Sequence, residues 1–204
     1  IIYSCFIMSV SLQAQEHFAD RYNVSYITMD DGLPHNFIDD IYKDTRGFLW
    51  ISTAGGGLSR YDGYEFIHFN PNTPHSKLKS NFIHNVYEDR FHRLWIVSEG
   101  GTDIIDLSTL QSVIPNDPKG LLPRFINHPT YIVILDSQGC IWLQCDNALH
   151  RITFDAEGGI DTLSTLDLPE QDEPDLILKD IDEDGKIWTG INGTIYKITP
   201  TPQG

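Results

Sequence analysis

Every tryptophan of the 204-residue chain stands in the same local text. Trp50, Trp95, Trp142 and Trp188 are separated by 45, 47 and 46 residues. Around them the sequence reads DTRGFLWIST, DRFHRLWIVS, DSQGCIWLQC and DEDGKIWTGI. In all four an Asp precedes the Trp by six residues (Asp44, Asp89, Asp136, Asp182), and an aliphatic residue stands directly before it (Leu49, Leu94, Ile141, Ile187). A period of about 46 residues lies in the range of propeller blades, units that bury their apolar faces only by stacking on one another.

Within each period the text divides into short runs rich in β-branched and aromatic residues, separated by turn residues. In the first, residues 37–44, 48–54, 58–62 and 65–69 read as four strands. The second gives 82–89, 93–99, 103–107 and 111–114; the third gives 130–136, 141–145, 149–155 and 160–166; the fourth gives 176–182, 186–191 and 194–199. No segment carries a 3.6-residue apolar period. The expected fold is all-β, built from propeller blades of four antiparallel strands. Gly55, Gly56 and Gly57 invite a phosphate-loop reading, but no Lys-Ser/Thr pair and no helix follows them. They are better read as the turn of a hairpin, where glycine adopts positive φ without strain.

Placed at the centre of the second strand of each blade, Trp50, Trp95, Trp142 and Trp188 read as a repeated structural core packed between neighbouring sheets. The repeated Asp reads as a turn former, bonding nearby backbone amides.

The formal charge of −15 weighs against nucleic acid or an anionic membrane as partner, since both demand clustered Lys and Arg. Residues 1–14, IIYSCFIMSVSLQA, are apolar and then turn abruptly polar. They read as a truncated secretory signal peptide, leaving 15–204 as propeller and implying export. Cys140 and Cys145 lie too far apart along one extended strand to bond, and read as buried free thiols.

The run 31–66 resembles the two-component regulator propeller repeat. The residues that carry the likeness are Asp31-Gly32-Leu33, Asp44, Gly47, Leu49-Trp50-Ile51, Thr53, Gly57-Leu58 and Arg60-Tyr61-Asp62-Gly63. The second repeat keeps Asp89, Leu94-Trp95-Ile96 and Gly100-Gly101, and departs at His92-Arg93, where the family has Asp-Gly. Gly139 with Ile141-Trp142, and Asp184-Gly185 with Ile187-Trp188-Thr189-Gly190, continue it through about residue 200. The resemblance implies the periplasmic sensor region of a Bacteroidetes hybrid two-component histidine kinase. It implies about four blades of an incomplete seven-bladed ring, in a parent anchored in the inner membrane. Such proteins sense glycan-derived oligosaccharides and regulate polysaccharide-utilisation genes.

Loops that lead into the inner strands, and loops between strands two and three, should share one face of the propeller. They hold His35, Asn36, Asn81, Glu99, His128, Asp146, Asn147 and Asn192, whose imidazoles, amides and carboxylates can hydrogen-bond sugar hydroxyls. The same residue types also suit a merely solvated loop. The expected partners are an oligosaccharide, the remainder of the sensor chain and a second copy in a homodimer, with no nucleic acid contacted. The alternative is a non-catalytic scaffold for protein interaction or dimerisation. Asp30-Asp31 and Asp39-Asp40 are adjacent pairs, and neighbours on a strand point to opposite faces. They do not form the facing carboxylates of glycoside hydrolysis. The histidines lack zinc spacing. No enzyme activity, metal or cofactor is expected.

Overall fold

The computed structural model describes residues 24–74, 77–145, 148–167, 177–182, 186–191 and 194–199. The segment read as a signal peptide, residues 1–14, lies outside them. The architecture is all-β and propeller-type. The first sheet runs β1 (Ile38–Lys43), β2 (Leu49–Thr53), β3 (Gly57–Tyr61), β4 (Phe66–Phe69), in that order and antiparallel. The second is β5 (Ile83–Glu88), β6 (Arg93–Ser98), β7 (Gly101–Asp106). The third is β8 (Thr130–Leu135), β9 (Ile141–Cys145), β10 (Ala148–Phe154), β11 (Ile160–Asp167), and the last is β12 (Ile177–Ile181), β13 (Ile187–Ile191), β14 (Thr194–Ile198). The first strands of the sheets neighbour one another, β1 beside β5, β5 beside β8, and β8 beside β12.

The first three tryptophans face the following blade. Trp50, Leu58 and Phe69 of the first blade bury with Val86, Leu94 and Ile96 of the second. Trp95 and Val97 bury with Val133, Leu143 and Phe154 of the third, and Trp142 with Ile187 of the fourth. β6 is therefore buried along its whole length, one face toward each neighbour, so its text RLWIVS lacks polar alternation. Trp50 and Trp95 are 0% exposed and Trp142 6%, whereas Trp188, in the last described blade, is 37% exposed.

The repeated Asp does more than form its turn. Asp44 Oδ1 accepts the amides of Arg46 and Phe48, and its Oδ2 accepts the Trp50 indole N–H at 2.9 Å. The indole bond recurs at Asp89–Trp95 (2.8 Å), Asp136–Trp142 (2.9 Å) and Asp182–Trp188 (2.9 Å). A buried indole N–H needs an acceptor, and the six-residue spacing supplies it from the preceding turn.

Two expectations are corrected. Residues 111–114 do not form a fourth strand; Ser112 makes one isolated bridge to Ile105. The amides of Gln111's neighbourhood do begin a ladder, with Val113 N–H donating to the Ile104 carbonyl. The next donor in register, opposite Thr102, is Pro115, which has no N–H. A short helix, α1 (Pro123–Ile126), also stands where the sequence shows no helical period. Four residues are too few to display one, and α1 exists to bury Phe125 fully in the second core. Cys140 and Cys145 are buried and in no disulfide, and burial raises the Cys140 thiol pKa.

Candidate functional site

Pairing of Ile38 with Thr53, and the Ala54 amide donating to the Phe37 carbonyl, set the start of β1 beside the β2–β3 hairpin. In the second blade, Ile83 pairs with Ser98 and the Glu99 amide donates to the Phe82 carbonyl. Inner-strand approaches and β2–β3-type hairpins thus gather on one face.

Each of the first three inner strands carries a bulge there, at Asp39, His84 and Tyr131, always eleven residues before the blade's tryptophan. A bulge re-aims side chains and is frequent near sites. The His84 and Tyr131 rings lie 5.3 Å apart, centroid to centroid. Burial lowers the His84 pKa, partly opposed by the charges of Glu99 and Asp39, so the ring is neutral at neutral pH. Its Nε2 is buried and, among the described residues, has no hydrogen-bond partner. The residues just past the bulges tie the blades together. Asp40 accepts the Val86 amide at 3.3 Å, and Asn85 grips Val133 twice, donating to its carbonyl (2.9 Å) and accepting its amide (3.0 Å).

Of the candidates named from sequence, Asn81 joins two blades through its carbonyl, which accepts the Gly57 amide, while its buried Oδ1 has no partner among the described residues. Glu99 is exposed and acts electrostatically on His84. His35 and Asn36 are exposed, the His35 Nδ1 accepting the Phe37 amide at 3.0 Å in a local turn. His128 is exposed, and its carbonyl accepts the Thr130 hydroxyl. Among the described residues no side-chain contact joins His35, Asn36 or His128 to the rest. Asp146, Asn147 and Asn192 lie outside the described residues.

Sequence reasoning passed over His84 and Tyr131, and weighed Asp39 only as a strand neighbour of Asp40, because strand alternation hides a bulge. Their shared distance from the tryptophan was the available signal. It also passed over Phe37 and Phe82, which are 63% and 53% exposed on this face. Among the described residues no group of three or more His, Cys, Asp or Glu could hold a metal ion.

Radially neighbouring antiparallel blades with their inner strands adjacent define a β-propeller. The family model of the two component regulator propeller matches residues 32–55 and 77–100. Two solved structures of the extracellular domain of BT4673 from B. thetaiotaomicron, named a one component system in one and a hybrid two component system in the other, share the fold. Both are 24% identical; TM-scores are 0.61 and 0.57, covering 82% and 83% of this chain and 23% and 24% of that one. The extracellular domain of the hybrid two component system BT3049 from the same organism aligns at 19% identity and TM-score 0.56, over 86% of this chain and 30% of its own. Virginiamycin B lyase from Staphylococcus aureus aligns at 17% identity and TM-score 0.52, over 81% and 57%. This chain thus spans about a quarter of the extracellular domains it matches. No curated protein matches the chain.

Proposed function

We propose that this region is part of the extracytoplasmic, periplasmic sensor of a hybrid two-component protein, and that its loop face binds glycan-derived oligosaccharides without chemistry. The observation that carries the reading is the pairing of exposed aromatics with hydrogen-bonding groups at one mouth. Phe37 and Phe82 offer flat apolar surface on the face that also carries Asp39, His84, Glu99 and Tyr131. A sugar ring presents an apolar face and a hydroxyl rim, and such a surface matches both. Neutral His84 can accept from one hydroxyl or donate to another.

The test is thermal unfolding of the complete exported region against a panel of oligosaccharides. Ligand that binds only the native state raises the melting temperature with concentration. One sugar class should do so, and Phe82→Ala with Glu99→Ala should abolish the shift while leaving the unliganded melting temperature within about 2 °C, as surface substitutions do. A shift that survives both substitutions would remove the site from this face.

A further inference from the structure

A cavity lies on the outer side of the second blade, where the repeat is broken. In the first and third blades a fourth strand, β4 or β11, covers the third. In the second, Pro115 stops the fourth strand, and the Thr102 carbonyl it would have faced is bonded instead by Lys79 Nζ at 3.0 Å. The space left along β7 has a volume of about 290 Å³.

Its walls are fixed by close backbone packing. The turn residues Gly100 and Gly101 touch opposite walls. A Cβ on Gly100 would lie 2.9 Å from Lys79 Cβ, and one on Gly101 would lie 2.3 Å from the Ile126 carbonyl oxygen, at the end of α1. The cavity therefore exists before any ligand arrives, which lowers the cost of binding.

Its chemistry is divided. The aliphatic part of the lining includes Ile104, Val113 and Ile126; the polar part includes Lys77, Lys79 and the Asp103 carboxylate. Lys79 is committed to Asp103, Nζ to Oδ1 at 2.6 Å, and to Thr102. Thus the backbone edge of β7 is blocked against an added strand, a common use of edge lysines. Lys77 is exposed and has no ion pair among the described residues. In the lining Lys79 and the Asp103 carboxylate neutralise each other, so the Lys77 ammonium is the charge left to meet an anion.

We propose that this cavity binds a small carboxylate with an aliphatic body, the carboxylate on Lys77 and the body against Ile104, Val113 and Ile126. Among the described residues the lining holds no aromatic ring. The site lies just below the roughly 300–1,000 Å³ of drug-sized pockets and suits a single ring or a short branched acid.

The probes are cyclohexanecarboxylate, neutral cyclohexanol and acetate, titrated at pH 7 into the exported region and followed by amide chemical shifts. Saturable binding of cyclohexanecarboxylate is expected, with shifts centred on Ile104 and Val113 and an affinity at least tenfold above cyclohexanol and acetate. Lys77→Met should weaken it at least tenfold without altering the melting temperature or the oligosaccharide response. Equal affinity for the acid and the alcohol, unchanged affinity in Lys77→Met, or no saturable shift with any probe would each overturn the proposal.

Discussion

At the scale of single residues, one position separates a good repeat from a strained one. The third residue after the turn Asp adopts positive φ: Gly47 at 93°, Gly139 at 77°, and His92 at 58°. His92 occupies a site suited to glycine, at a cost of about 1–2 kcal/mol for a side-chain-bearing residue. Its imidazole bonds Glu88 at 2.9 Å, but it is largely exposed and such pairs add little. His92→Gly is therefore expected to stabilise the protein by up to about 1 kcal/mol at pH 7, read by denaturant titration. Glu88 itself is buried, and burial would raise its pKa. The amide and hydroxyl of Thr45, with His92, outweigh burial and hold it below the usual glutamate value. A depressed carboxyl contributes stability that is complete above its unfolded pKa, about 4.3, and is lost as pH falls through the folded value. Glu88→Gln should flatten that acid limb of the stability profile. Asp40 has the opposite sign, its pKa raised by burial despite the Val86 amide. Its contribution is lost as pH rises, so ionised Asp40 is a liability at neutral pH. Asn85 fills the same place one blade on, with two bonds. Asp40→Asn should raise the melting temperature at pH 7 by roughly 2–4 °C, the equivalent of about 1 kcal/mol, and the gain should shrink as pH is lowered.

At the scale of elements, the second blade shows how one residue type ends a strand. Pro115 removes a single donor, and Lys79 and α1 then occupy the space around β7. The fit at Gly101 is close, at φ 113° and with the Ile126 carbonyl against it. Gly101→Ala is expected to cost about 2 kcal/mol or more, measured by denaturant unfolding. β6 is buried on both faces and β14 almost wholly exposed. Amide exchange should therefore be slowest in β6 and fastest in β14, a gradient set by local burial.

At the scale of the whole molecule, the tryptophans report how the blades close on one another. Burial is complete for Trp50 and Trp95, each covered by the blade that follows it, and Trp188 is 37% exposed. In the exported region carrying a further blade, Trp188 should resist acrylamide quenching like Trp50. In residues 24–199 alone it should be the quenched fluorophore. The same cause explains which features were legible in the sequence. The period, the turn Asp and the hairpin glycines act within one blade, so local text records them. The bulge residues Asp39, His84 and Tyr131, and the gap beside β7, depend on what a neighbouring blade or a distant lysine does.

By itself the sequence determined the repeat, the order of strands in nearly every blade and the tryptophan at each centre, since these follow from hydrophobic spacing and turn chemistry inside about 46 residues. Only the tertiary structure decided which polar groups meet. Asn85 reaches Val133 and Glu88 reaches Thr45 across blade boundaries. Contacts between residues more than forty positions apart are set by how the sheets stack, and no local pattern encodes them.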